Sequence, residues 1–318
     1  MKIVVLESLS VGKDISWERL KKYGEIDTYE TTPQELVIER LQGADIVIPN
    51  KCKINKEVLE EVTTLKLVCE AATGYNNIDL EECRKRNIAV TNVKSYSTDM
   101  VAQHTFALLL SLYEKMEYYT EWIQSGKYSE NLSFTKVGIP FYELKNKKFG
   151  ILGMGAIGRR VAEIAEAFGT EVICCSVRGN PYDVPYRQVQ WEELLSDSDI
   201  LSIHTPLNEH SHNLFGYETF CKMKSTAILL NLARGPIVVE KDLVRALNEG
   251  QIEAAGLDVF ETEPLPADSP LLSIRNKDKL LLTPHVAWTG VETRNRLVKE
   301  VELNLAAFIN GESRNRIL

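Results

Sequence analysis

The feature that most constrains this chain is a glycine turn, Gly153-Met154-Gly155-Ala156-Ile157-Gly158. As a bare G-x-G-x-x-G pattern it says little. Here it follows an apolar run, KFGIL, and opens a helical stretch, Ala156–Phe168, which stops at Gly169 before a second apolar run. Strand, tight turn and helix in that order form the setting in which the pattern binds a dinucleotide. Each glycine has its own reason. Gly153 permits the turn, Gly155 lets the backbone approach a pyrophosphate, and Gly158 lets helix and strand pack closely. The free N–H groups and the dipole at the helix start then favour the anion.

The end of the next strand tells one dinucleotide from another. A Rossmann site for NAD usually has Asp or Glu there to hold the ribose hydroxyls. In EVICCSVRGN that position is Ser176, with Arg178 two residues on. A missing carboxylate removes the repulsion against a 2′-phosphate, and an arginine can pair with one. Arg178 can equally be a solvated loop residue. The expected cofactor is therefore NAD or NADP, and the choice stays open at this point.

The chain has 318 residues, room for two domains. Short apolar runs alternate with helical patterns from the start. Strands are expected at Lys2–Leu6, Asp45–Ile48, Leu65–Cys69 and Ile88–Thr91, and helices at Ile15–Tyr23, Lys56–Val62 and Leu80–Arg86. This βαβα rhythm implies a parallel sheet covered on both faces. One long helical pattern then runs from about Thr98 to Gly126. A second series follows, with strands at Phe149–Leu152, Glu171–Cys175, Ile200–Ile203, Ala227–Asn231, Ala254–Leu257 and Leu280–Thr283, and a last helix at Val291–Ile309. The expected architecture is α/β: two Rossmann-like domains, each a mainly parallel sheet with helices on both faces, and an active site in the cleft between them. The expected partition is a discontinuous, flavodoxin-like domain of residues 1–97 plus 287–318, and a cofactor domain of residues 98–286.

Composition narrows the function classes. The formal net charge is −8 and no basic stripe or tail accumulates, so the footprint of a nucleic-acid binder is absent. No stretch approaches the roughly 20 apolar residues of a membrane span, and MKIVVLESL is too short a run for a signal peptide. Six cysteines, Cys52, Cys69, Cys83, Cys174, Cys175 and Cys221, form no C-x-x-C pair and no zinc spacing. They read as buried reduced thiols in a cytoplasmic protein, and no metal site is expected.

In open α/β sheets the chemistry lies beyond the carboxyl ends of the strands. Three late strands end in reactive residues. AILLN leads to Arg234, AAGL to Asp258 and then Glu263, and LLLT to Pro284-His285. Hydride transfer to a 2-keto acid needs a cation to hold the carboxylate, a task for a bidentate arginine. It needs an acid to protonate the developing alkoxide, which His can be near neutral pH. A carboxylate beside that His favours the imidazolium and fixes its orientation. His204 ends another strand and is a candidate to line the cofactor site. His210 and His212 read as a surface loop, and His104 lies inside the long helix.

GMGAIG, IHTPL, NLARG, GLDVFETEP and LLTPHVAW, in this order, resemble the D-isomer-specific 2-hydroxyacid dehydrogenases, as do AATGYNNIDL and SYSTDMVAQHTFALLL in the first half. Within that family the TGYNN loop and the His285–Trp288 run look most like glycerate dehydrogenases, also called hydroxypyruvate reductases. The resemblance implies that Arg234 binds substrate, that Glu263 pairs with His285, and that His285 is the acid–base. It implies backbone N–H groups of Thr73, Gly74 and Tyr75 at the substrate carboxylate, with Ala156 and Ile157 at the pyrophosphate. Thr205 and Pro206 would lie on the adenosine side, Leu232 and Ala233 on the nicotinamide side, and Asp258 at the carboxamide. It also implies a homodimer acting on a small 2-keto or 2-hydroxy acid. Alternatives are a D-lactate-type enzyme, a 3-phosphoglycerate dehydrogenase, or a non-enzymatic NAD-sensing protein of the corepressor kind. Glu70, just ahead of the TGYNN loop, offers no attraction to a phosphate. Ser176 in place of an acid departs from the common family pattern, as do Asn76 and Gln103.

Overall fold

The computed structural model describes residues 1–318. The chain divides into two compact units, Met1–Ser97 with Thr289–Leu318, and Thr98–Trp288. The second break falls two residues later than expected. Ala287 donates its N–H to Asp258 Oδ2 at 2.9 Å and is buried in the core of the second unit, which ties 287 and 288 there.

The first unit is built on five strands: β1 (Lys2–Val5), β2 (Glu25–Thr28), β3 (Ile46–Ile48), β4 (Leu67–Cys69) and β5 (Ala89–Thr91). All pairings are parallel, in the order β2-β1-β3-β4-β5. That is the flavodoxin-like order. β3, β4 and β5 are buried at every residue, which explains their continuous apolar runs. β2 is an edge strand of mixed polarity, EIDT, and so gave no signal in the sequence. Helices α1 (Val37–Arg40), α2 (Lys56–Glu61) and α3 (Leu80–Lys85) bury Val37, Val58, Leu59 and Cys83 against the sheet. Asn55 and Asp79 cap α2 and α3 by accepting the N–H groups of Val58 and Glu82, as short polar side chains do at N-caps. The helix expected at Ile15–Tyr23 is only a 3-10 segment, Glu18–Tyr23. Six residues between buried Trp17 and Gly24 leave too little length for a stable α-helix.

The second unit opens with α4 (Thr98–Tyr113) and α5 (Met116–Gln124). These replace the single long helix expected there. The break is Lys115, in the left-handed region at φ 56°, with its ammonium 3.1 Å from Glu253 Oε1. The sheet comprises β6 (Lys148–Leu152), β7 (Glu171–Cys175), β8 (Arg187–Gln188), β9 (Ile200–Ile203), β10 (Ile228–Asn231), β11 (Ala254–Leu257) and β12 (Leu280–Leu282). Every pair is parallel, in the order β12-β11-β10-β9-β6-β7-β8. This is the doubly wound dinucleotide-binding order with one further strand, and its direction reverses between β6 and β9.

Alternate residues along these strands enter two separate cores. Phe149 and Ile151 of β6 face the side covered by α4 and α6 (Ala156–Ala167). Leu152 faces the side covered by α7 (Trp191–Asp197), α8 (Tyr217–Phe220) and α9 (Glu240–Glu249). The last helix, α10 (Val291–Ile309), belongs to the first unit, where it buries Leu297, Val301 and Leu305. Five cysteines are buried, but Cys221 is exposed just past α8, contrary to expectation. Burial pushes the thiols of Cys52 and Cys69 up to about 12, which makes them inert. No helix is long and apolar enough to cross a membrane.

Candidate active site

The glycine turn sits at the point where the sheet order reverses. Gly153 has φ +99°, and a Cβ there would lie 2.8 Å from the backbone of His204 and Thr205. The turn after β6 and the loop after β9 therefore abut through bare backbone. Gly158 is equally constrained: a Cβ would come within 2.1 Å of Gly153 O. Gly155 differs, because a Cβ there meets nothing within 4 Å. The helix start it caps has no side-chain cap and no acidic residue in its first turn. The start of α6 thus has open space beside Gly155 and no carboxylate of its own. These residues fit a pyrophosphate.

Around this turn, Ser176 is half-buried just past β7, while Arg178 is exposed. Thr205 is buried and Pro206 exposed after β9. His204 hydrogen-bonds Ser202 Oγ at 2.8 Å, and burial pulls its imidazole down to about 3. Leu232 is buried in the same core as Met154 and Ala287, and Ala233 is half-buried.

Arg234, Glu263 and His285 lie on the loops that follow the adjacent strands β10, β11 and β12, with the Arg234 guanidinium donating to Ala233 O at 2.7 Å. Asn231, fully buried at the end of β10, brackets the first. Its Oδ1 accepts the N–H of Ala233 at 3.1 Å, and its Nδ2 donates to Arg234 O at 3.0 Å. The next residue, Gly235, packs so tightly that a Cβ would lie 1.8 Å from Phe260 O. The Arg234 loop thus rests directly on the loop leading to Glu263. That second loop is held by buried Glu240, which accepts the N–H of Glu261 at 2.8 Å and the hydroxyl of Ser269 at 3.1 Å.

Glu263 uses both oxygens. Oε1 accepts the N–H of Phe260 at 3.2 Å, and Oε2 lies 2.8 Å from His285 Nδ1. A carboxylate only accepts, so Nδ1 carries the proton and Nε2 is left for other work. His285 is in the left-handed region at φ 54°, an uncommon backbone for a non-glycine residue. Asp258 holds it there. This carboxylate is 1% exposed and accepts the N–H groups of Val286 at 2.8 Å and Ala287 at 2.9 Å, and the Thr283 hydroxyl at 2.6 Å. His104 on α4 reaches Thr283 Oγ1 at 3.0 Å. Asp258 in this structure therefore anchors the loop that carries His285.

In the first unit, the Thr73–Tyr75 loop follows β4. Thr73 Oγ1 donates to Val93 O at 2.8 Å, and Asn92 Nδ2 donates to Thr73 O at 2.7 Å. Gly74 is half-buried and Tyr75 exposed.

The sequence profile of the D-isomer specific 2-hydroxyacid dehydrogenase, NAD binding domain, matches residues 106–287. The chain belongs to this family. A hydroxypyruvate reductase of Blautia hydrogenotrophica is 38% identical over 99% of both chains. A glycerate dehydrogenase of Methylorubrum extorquens is 36% identical over 92% of this chain and 91% of its own. Among solved structures, an acyclic imino acid reductase, Bsp5, in complex with NADPH and D-Arg, superposes with a TM-score of 0.89 at 30% identity, with both chains fully covered.

For a 2-hydroxyacid dehydrogenase the site has more members than the sequence indicated. Asn231, Glu240, Thr283 and His104 all hold loops that carry the charged residues. Asn231 gave a weak signal, a lone polar residue closing the apolar run ILL. Glu240 and His104 gave none, since each reads as one polar position on a helix.

Proposed function

We propose that this NAD(P)-dependent dehydrogenase reduces hydroxypyruvate or glyoxylate to the D-2-hydroxy acid. The observation that carries the reading is the His285–Glu263 pair, with Nδ1 committed to the carboxylate at 2.8 Å and Nε2 left to face a substrate. Bound nicotinamide supplies the hydride. His285 delivers the proton from Nε2 to the carbonyl oxygen, and the imidazolium before that transfer is stabilised by Glu263. Arg234 grips the substrate carboxylate and polarises the carbonyl. Thr73, Gly74 and Tyr75 add backbone N–H groups to that carboxylate.

Gly153, Gly155, Ala156, Ile157 and Gly158 would hold the pyrophosphate of the bound cofactor, with Thr205, Pro206, Leu232, Ala233 and Asp258 lining the rest of its site. Ser176 and Arg178 would lie at the ribose. Substrate choice is supported by the two relatives above, whose names describe one interconversion from its two sides. Assembly is read as a homodimer, supported by an arm that exposes Leu132, Phe134 and Val137 at 91% or more. The location is read as cytoplasmic.

The test offers NADH and NADPH separately with hydroxypyruvate, glyoxylate, pyruvate and 3-phosphohydroxypyruvate. The expected result is a kcat/KM for hydroxypyruvate or glyoxylate at least about tenfold above the others, a preference of about 1.4 kcal/mol. A dominant phosphorylated substrate would overturn the reading. Arg178 is a 2′-phosphate ligand if NADPH is preferred and Arg178→Ala abolishes that preference.

A further inference from the structure

Glu70 takes no part in the chemistry described, yet it is the most completely enclosed carboxyl group of the first unit. It follows the last residue of β4, three residues ahead of Thr73, with no exposed surface. Oε2 accepts from Asn77 Nδ2 at 3.1 Å, while Oε1 is buried without a hydrogen-bond partner. A carboxylate with an unpartnered oxygen in such a place is costly, and the charged form is disfavoured. Burial holds its pKa well above the usual carboxyl value, with the Glu7 carboxylate adding to the rise; the Asn77 bond and the Lys51 ammonium oppose it more weakly.

The partner of Glu70 is a stitch between two loops. Asn77 Nδ2 also donates to Cys52 O at 3.0 Å, and the backbone of Ile54 bonds that of Asn77 at 2.9 Å. The 50–52 turn beyond β3 is in turn wrapped around Glu7, whose Oε2 accepts the N–H groups of Asn50, Lys51 and Cys52 at 2.9–3.0 Å. Glu7 is thus the charged anchor of one loop and Glu70 lies at the base of the next. On its other side the loop is already fastened through Thr73 to Val93 and Asn92.

We propose that Glu70 is a positioning residue for substrate binding: a fully buried carboxyl group beneath the 73–77 loop that fixes, through Asn77, the backbone N–H groups of Thr73–Tyr75. A loop that receives a substrate carboxylate gains nothing from a second negative charge beneath it, and the burial that disfavours the charged form of Glu70 works in that direction. The assignment rests on the reading that Thr73–Tyr75 receive the substrate carboxylate.

The experiment measures KM and kcat for hydroxypyruvate, and the Kd of the reduced cofactor, in Glu70→Leu, Glu70→Gln, Asn77→Ala and Gly74→Pro. Glu70→Leu is expected to raise KM at least tenfold, with kcat and cofactor Kd within twofold of the parent. Glu70→Gln, a neutral acceptor of the same shape, is expected within twofold throughout. Asn77→Ala cuts the same hydrogen bond from a half-buried position and carries the test if Glu70→Leu does not fold. The assignment is overturned if KM stays within twofold in both Glu70→Leu and Asn77→Ala. It is also overturned if KM, kcat and cofactor affinity worsen together, or if Glu70→Gln is as impaired as Glu70→Leu. Gly74→Pro, which deletes one loop N–H, separates the two ideas. An unchanged KM there removes the substrate-loop reading and the Glu70 assignment with it; a raised KM there, with KM unchanged in Glu70→Leu and Asn77→Ala, removes only the latter.

Discussion

At the scale of single residues, the site depends on buried polar groups that never touch substrate in this account. Asp258 takes three donors from the segment that bears His285, and hydrogen bonds to a buried charge are worth about 1.5–3 kcal/mol each. Thr283 is the link that can be cut without changing shape. Thr283→Val removes the hydroxyl between Asp258 and His104. It is expected to cost about 1–3 kcal/mol of stability and to lower kcat about tenfold, measured by urea unfolding and steady-state kinetics. A Thr283→Val enzyme of parental kcat would show that the His285 loop needs no such anchor. The pairing of Glu263 with His285, 2.8 Å apart in the structure, was legible in the sequence because both follow late apolar runs and an acid–base imidazole calls for a carboxylate beside it. Thr283 and His104 were not, because a hydroxyl and a helix imidazole acquire a role only when folding sets them 3.0 Å apart.

At the scale of elements, the strand–turn–helix unit makes a sharp distinction between its glycines. Gly158 has no room for a methyl group, while Gly155 has open space on that side. Gly158→Ala is expected to destabilise the fold by more than about 2 kcal/mol, as overpacking against backbone does. Gly155→Ala should leave the melting temperature within about 2 °C, since a change near zero in stability moves it little, yet weaken cofactor binding at least about tenfold, or about 1.4 kcal/mol. Thermal unfolding and cofactor titration check both. Equal effects on stability would contradict the separate roles. This unit could be read from sequence because each glycine answers a local backbone need. The break between α4 and α5 could not. Its segment, YEKM, contains neither Gly nor Pro, and the left-handed Lys115 is joined by its ammonium to Glu253, distant in the chain.

At the scale of the whole molecule, the βα rhythm announced parallel sheets, but the strand orders came only from the structure. Edge strands β2 and β8 are short and polar and carry no apolar run to count. The exposed apolar arm has a consequence at this scale. Contiguous exposed apolar side chains usually mark an association site, so the protein is expected to run as a dimer in light scattering. Phe134→Asp with Val137→Asp should shift it towards monomer; a monomeric parent would contradict the homodimer reading. The proposed mechanism has His285 supply the proton in 2-keto acid reduction. Its most direct test is single-turnover oxidation of enzyme-bound reduced cofactor on mixing with hydroxypyruvate, followed by nicotinamide absorbance, in the parent and in His285→Ala. The expected result is a loss of about 10²–10⁴-fold in the rate with cofactor affinity unchanged. Equal single-turnover rates in the two proteins would contradict it.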